Sequence, residues 1–454
     1  MSRALFGLCA ISLVACSSPD GTGDPNLAED DGGGGLLLDG EPGAEFTVGD
    51  GGSTEPPCTG LKCQQVTCTG AASTNLSGTV YDPAGRVPLY NVIVYVPNAP
   101  LDPLPKPLSC DKCGAIASGS PIVTALTDAK GQFTLKNVPV GKNIPLVMQV
   151  GKWRRQVTIP EVKECVDNPV TDKNLTRLPR SRKEGDLPQI AVTTGAADEL
   201  ECFLREIGIA DSEFSGGGGG GAVHLYQAYG GSTMSGVTGA QPFWSSLDNL
   251  KKYDIVVLSC EGAEHPENKP AAALTALQQY ANGGGRVFAS HFHYYWFKHG
   301  PADFQSTANW TGGGTASPYS VDTSFPKGKA FGDWLMNVGA STTPGQIALS
   351  AVKNDVGTIN AKTSTRWVYK GASPESVKYM SFATPIGKNT EEQCGRAVFS
   401  DIHISNTSGG GTFPSACAAG GDFSPQEKAL EFLFFDLSSC VQSDGDPPKA
   451  PPIK

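Results

Sequence analysis

The sequence predicts a small β-sandwich followed by an open, mostly parallel α/β sheet. Three observations carry this reading. Residues 75–165 alternate apolar and polar positions between turn signals, the period-two pattern of half-buried strands. From Gln189 on, short apolar strands alternate with helical patterns, which argues for parallel strands joined by helices. Hydrophobic residues make up 39% of the 454 residues, and 56 glycines add loop-forming positions, so a packed core is affordable and global disorder is excluded.

The chain opens with Arg3 and a short apolar run, Ala4 to Leu13. A bilayer span needs about 20 residues, so this run suits the apolar region of an export signal instead. It ends in Leu13-Val14-Ala15-Cys16, which resembles the lipobox of bacterial lipoproteins. That resemblance implies a signal over residues 1–15, cleavage before Cys16 and acylation of its thiol. Ser17 in the next position implies outer-membrane sorting. The expected membrane link is the lipid alone, with the protein on the periplasmic or cell-surface side. Residues 16–57 are expected to be an acidic, Gly-rich, extended tether. Ser17 to Pro57 holds ten acids and no Lys or Arg, which accounts for the net charge of −10. The remainder of the chain sums to zero, so no nucleic-acid footprint is expected.

Thirteen cysteines suit an oxidising compartment. Setting aside Cys9 and Cys16 leaves an odd number, so at least one thiol stays free. Cys58, Cys63, Cys68, Cys110, Cys113 and Cys165 lie early; Cys202, Cys260, Cys394, Cys417 and Cys440 lie late. Spacing does not choose among the pairings. Disulfides are the expected use, with a zinc cluster from the early cysteines as the alternative.

Residues 58–165 form the expected sandwich. Ser77 to Tyr81 reads as a strand running into a turn, where Pro83 presets φ and Gly85 tolerates positive φ. Pro88 to Val96, Thr127 to Leu135, Ile144 to Val150 and Gln156 to Ile159 supply further strands. The order G-x-V-x-D-x-x-G, P-L-x-x-V-x-V, T-D-x-x-G-x-F and P-V-G, from Gly78 to Gly141, resembles the carboxypeptidase regulatory-like domain, a transthyretin-like sandwich. The resemblance implies a non-catalytic stabilising or adhesion module. No histidine precedes His224, so the commonest general base is missing here. Trp153-Arg154-Arg155 is a candidate binding patch, or simply a strand edge with solvated charges.

Residues 166–186 are polar and basic and read as a linker. Residues 187–442 read as the α/β region. Gln189 to Thr194, Ala222 to Tyr226, Tyr253 to Ser259, Arg286 to Ser290, Val377 to Phe382 and Arg396 to Asp401 are expected strands. Asp198 to Ile207, Ala271 to Ala281 and Lys329 to Val338 are expected helices. A last helix starts at the capping-box pattern Ser424-Pro425-Gln426-Glu427. Residues 443–454 are expected to be a disordered tail.

Tyr253-Asp254-Ile255-Val256-Val257-Leu258, the next helix, Gly283-Gly284-Gly285 and Arg286-Val287-Phe288-Ala289-Ser290-His291 resemble the class I glutamine amidotransferase-like, flavodoxin-like fold. The trehalose-utilisation-like branch is the nearest pattern. The amidotransferase nucleophile position falls on Ser290 or His291, with no cysteine there, and Cys260 comes one strand early. The chain also resembles a group of exported lipoproteins labelled tryptophan synthase alpha chain. That enzyme is an eight-unit β/α barrel, which an export signal, a sandwich and a few βα units do not match.

His291-x-His293 and Asp401-x-His403 each sit at the end of a strand. Residues two apart on a strand face one way, about 6.6 Å apart. Ligands at carboxyl strand ends converge over the crevice where α/β sheets bind ligands. The candidate metal set is therefore His291, His293, Asp401 and His403, with zinc as the candidate ion; the alternative is hydrogen-bonded structural histidines. A Cys260–His265 or Cys260–His291 dyad, with Glu261 as orienter, is the candidate thiol chemistry. Trp310 and Tyr319 are candidate sugar-stacking residues. The leading functional expectation is a lipid-anchored envelope protein with a non-catalytic binding role toward a glycan, a peptide or an envelope partner, needing no cofactor. A metal-dependent hydrolase using the histidine set is the alternative.

Overall fold

A computed structural model describes residues 58–453, less 116, 316, 372–374, 405–408 and 419. The export signal, Cys16 and the acidic tether lie outside the described residues.

The first region contains two small sheets. Pro121–Leu126, Ile93–Pro97, Gly141–Val150 and Trp153–Val162 pair antiparallel in that order. Gln132–Lys136, Asn75–Thr79 and Asp167–Val170 form the other. Phe133 and Leu135 are buried while Gln132, Thr134 and Lys136 are exposed, the alternation read from sequence. Pro121–Leu126 lacks that alternation, and sequence reading passed over it.

The expected linker is built into this region. Asp167–Val170 pairs parallel with Asn75–Thr79, and Lys173–Thr176 is a short helix capped by the Asp172 carboxylate. Arg177 then holds Glu184 through two hydrogen bonds of 2.6 and 2.8 Å. Arg180 and Arg182 likewise reach the carbonyls of Gly208 and Gly220.

The large sheet is mixed. Val223–Gln227, Ile190–Thr194, Ile255–Leu258, Arg286–Ser290 and Gly395–Ser400 run parallel, side by side. Numbered in chain order, these five take the order 2-1-3-4-5 of a doubly wound sheet. Ile255–Leu258 and Arg286–Ser290 are buried on both faces, which explains their unbroken apolar sequence. Beyond Gly395–Ser400 the sheet turns antiparallel through Ser376–Thr384, Thr365–Lys370, Tyr319–Val321 and Gln346–Ile347. Parallel pairings outnumber antiparallel ones, as expected, but one end of the sheet is antiparallel throughout. Thr365–Lys370 and Ser376–Thr384 stand too close in the chain for a crossover and hairpin back.

Helix Pro425–Ser438 starts at the predicted capping box: Ser424 Oγ accepts from Glu427 N, and Glu427 closes back on Ser424 N. Phe432, Phe434, Phe435 and Leu437 are all buried, so the helix is apolar on more than one face. It needs cover on both sides. The first region supplies part of that cover: Tyr90 stacks on Phe432 at 5.6 Å and Trp153 meets Phe435 edge-on at 5.5 Å. One buried cluster runs from Leu76 and Leu89 through Trp334 to Phe435. A buried ion pair, Lys152–Asp254 at 2.5 Å, also crosses the boundary.

Two disulfides cross it as well, Cys110–Cys394 and Cys113–Cys440. Cys58–Cys63, Cys68–Cys165 and Cys202–Cys417 complete the set, so no early cysteine remains for a zinc cluster. The segment expected as a disordered tail is docked: Asp444 pairs with Arg396 at 2.8 Å, and Pro451 O accepts from Thr124 Oγ1.

Candidate metal centre at the strand ends

Three neighbouring parallel strands end at the same edge. Ile255–Leu258 leads to Cys260, Arg286–Ser290 to His291, and Gly395–Ser400 to His403. One ligand atom from each of Cys260, His291 and His403 lies within 4.8 Å of the others. Cys260 Sγ is 3.2 Å from His291 Nδ1, and the His291 and His403 rings are 5.1 Å apart between centroids. Cys260 is the free cysteine among the described residues and is fully buried.

Local backbone sets these positions. His291 has φ +42°, a left-handed conformation that a non-glycine residue rarely adopts. Strain of that kind persists where surrounding structure enforces it, and it clusters at functional sites. At Gly195, after the neighbouring strand Ile190–Thr194, a Cβ would lie 2.2 Å from Cys260 O, so only glycine lets the two chains pass. Asp198 braces the ligand loops. It accepts from Ser290 Oγ at 2.6 Å and from Ile404 N at 3.0 Å, one residue from each histidine.

The electrostatics favour neutral imidazoles. Burial above all lowers both His291 and His403 to about 3, aided by the Lys353 charge. Burial raises the Cys260 thiol to about 12. His403 Nε2 is buried without a hydrogen-bond partner among the described residues, as is Asp401 Oδ1. His291 Nε2 faces Asp355 Oδ2 at 3.5 Å. Asp355 N donates to Asp401 Oδ2 at 2.8 Å. Burial raises the Asp401 carboxyl, and Asp355 beside it adds to the rise.

The structure therefore brings together part of the sequence-predicted set. His291 and His403 converge. Asp401 stands behind them, joined to Asp355. His293 does not join: its Nε2 bonds Ser259 O at 2.8 Å and its Nδ1 accepts from Trp296 Nε1 at 2.8 Å. Both ring nitrogens are used, because the chain turns into a 3-10 helix at His291 and the period of two no longer applies. Cys260 pairs with His291, not with His265, which stacks on Tyr229 and faces Glu267. Glu261 is no orienter of this pair. It forms a buried ion pair with Lys269, so Asp355 takes the place beside His291. Asp355 and Asp198 were missed by sequence reading. Asp198 was read only as the start of a helix and Asp355 lies in an irregular stretch, and no spacing links either to a histidine. Trp310 is half-buried against Tyr294, Phe297 and Phe399, and Tyr319 is buried.

No family model matches the chain, and no curated protein does. Among solved structures, the chain is similar to a ThuA-like protein from Bacteroides uniformis, at 14% identity over 56% of this chain and 92% of that one, with a TM-score of 0.30. It is similar, too, to two interface mutants of a type II cohesin–X-dockerin complex from Acetivibrio cellulolyticus, at 13% identity over 32% of this chain and 76% of that chain, with a TM-score of 0.16.

Proposed function

We propose that this is an exported protein, lipid-anchored at Cys16, whose α/β region is a metal-dependent hydrolase with zinc held by Cys260, His291 and His403. The convergence of one thiol and two neutral imidazoles at adjacent strand ends carries the reading, and the Nε2 of His403, without a partner among the described residues, supports it over a thiol–imidazole pair alone. Three protein ligands leave a tetrahedral zinc one open position, which in catalytic sites takes water or substrate. With His291 bound through Nδ1, its Nε2–H would donate to Asp355, and that carboxylate would fix tautomer and ring orientation. The doubly wound strand order supports the amidotransferase-like fold for this region, and the two small sheets support the transthyretin-like sandwich. Five disulfides support an oxidising compartment.

Elemental analysis of the purified chain tests the site. About one zinc per chain is expected, lost in Cys260→Ser and in His403→Ala and kept in His299→Ala. A metal-free wild type that cannot be loaded would sink the hydrolase and leave the binding-protein reading, with a glycan, peptide or envelope partner. A specific observation favours a second chemistry: the 3.2 Å Cys260–His291 contact, with Asp355 beyond, has the layout of a nucleophile, base and orienter. Stoichiometric alkylation of Cys260 in metal-free protein, with hydrolysis lost in step, would select it. Anchoring is tested separately: Cys16→Ala should move the protein from the membrane fraction to the soluble one.

A further inference from the structure

The irregular stretch that carries Asp355 also brings a lysine to the strand-end centre. Residues 351–353 lie antiparallel to 401–403. Val352 bridges Ile402, Lys353 N donates to Asp401 O at 2.7 Å, and His403 N donates to Ala351 O at 2.9 Å. Side chains opposite one another in such a pair share a face, as do residues two apart along one strand. Lys353 is therefore opposite Asp401 and diagonal to His403, on the face that carries both. Diagonal neighbours stand about 7–8 Å apart, within reach of a long side chain. The electrostatics agree with this geometry. Burial is the larger influence on His291, His403 and Cys260, but the Lys353 charge acts on all three, and on Asp198 behind them.

The acids around the centre are engaged. Asp198 accepts from Ser290 Oγ and Ile404 N, Asp401 from Asp355 N, and Glu264 from the Tyr294 hydroxyl, while Asp355 faces His291. So are the neighbouring cations. Lys269 pairs with Glu261, Lys378 donates to Lys353 O at 2.6 Å and to Ser376 Oγ at 2.7 Å, and Lys298 lies over the Tyr294 ring at 5.0 Å. Lys353 Nζ has no hydrogen bond or ion pair among the described residues. The residue is half-buried, yet its nitrogen is not one of the sealed, unpartnered atoms, so it keeps accessible surface. A half-buried ammonium has given up part of its hydration, and an oxyanion that binds it restores a charge-assisted hydrogen bond. The unmatched charge at the centre is thus positive and open to a ligand.

We infer, on the metal reading above, that Lys353 is the anion-binding residue of this centre and that its substrates carry an oxyanion, a carboxylate or a phosphate, beside the bond that is hydrolysed. Lysine is a compact point charge on a flexible stem, which suits either oxyanion.

Zinc content and ligand binding, measured on one sample of the full chain, test it. Inorganic phosphate, N-acetylglycine and the neutral N-acetylglycinamide are titrated calorimetrically into zinc-loaded protein. At least one of the two anions is expected to bind about tenfold or more tightly than the neutral amide. Phosphate alone would assign phosphoesters, and N-acetylglycine alone would assign carboxylates. Lys353→Met should keep its zinc and lose that preference, and Lys353→Arg should retain it. A zinc-loaded wild type with no preference for either anion, or an undiminished preference in Lys353→Met, would overturn the anion site and leave the metal centre standing. Zinc lost from Lys353→Met would give the side chain a structural role and overturn it too. A wild type that takes up no zinc would overturn both.

Discussion

Asp198 illustrates how much a single buried side chain controls here. Its two oxygens tie Ser290 and Ile404, and so the backbones that carry His291 and His403, to one point. Asp198→Asn keeps one acceptor and turns the other into a donor facing Ser290. Zinc affinity should fall by about 10- to 100-fold, the usual effect of losing a group behind a ligand, while the far-ultraviolet spectrum stays unchanged. Competition with a chromophoric chelator would measure it. Another buried acid, Asp82, has a different consequence. Burial raises Asp82 to about 6, despite amide bonds from Arg86 and Val87, the Arg86 charge and a hydrogen bond with Glu431, all of which lower it. A raised folded-state value means the folded protein binds the proton more tightly than the unfolded chain. This group therefore stabilises fully below its unfolded value near 4, and that contribution is lost as pH rises through about 6. The span is on the order of 3 kcal/mol. Asp82→Asn retains the acceptor for Arg86 and Val87, so it should flatten the fall in urea midpoint between about pH 4 and pH 7. An identical slope in the variant would assign the pH dependence elsewhere.

Elements of regular structure followed local signals closely. Helix Pro425–Ser438 begins at the capping box read from four residues, and strand Arg286–Ser290 has the bounds that its apolar run implied. Ser424→Ala should cost about 1 kcal/mol, seen as a lower urea midpoint at unchanged slope. Signals failed where an element depends on its neighbours. Asp167–Val170 contains a proline and two polar residues, and it is a strand because Asn75–Thr79 offers an open edge. In the antiparallel part of the large sheet Val377 to Phe382 was read as a strand but its direction was not, since pairing direction follows from connection length and packing, not from side-chain period.

Residues 58–453 behave as one unit. Removing the first region would strip Asp254 of Lys152, bare the aromatic face of Phe432 and Phe435, and leave Cys394 and Cys440 without partners. A fragment spanning residues 187–442 should therefore bind hydrophobic dye and show little amide protection. Cooperative unfolding at the full-chain midpoint would show instead that the shared cluster adds nothing to the α/β region.

What the sequence determined by itself is local: strand and helix positions, turn chemistry, the odd cysteine and the two histidines that converge. Those follow from side-chain period, capping and parity, which neighbours in the chain settle among themselves. Only the tertiary structure decided which cysteine stays free, that Cys260 and Asp355 rather than His293 stand beside His291, and that Lys353 lies diagonal to His403. These depend on strand order and on a left-handed turn at His291. Residues far apart in the chain then meet through backbone geometry, which their own side chains do not announce.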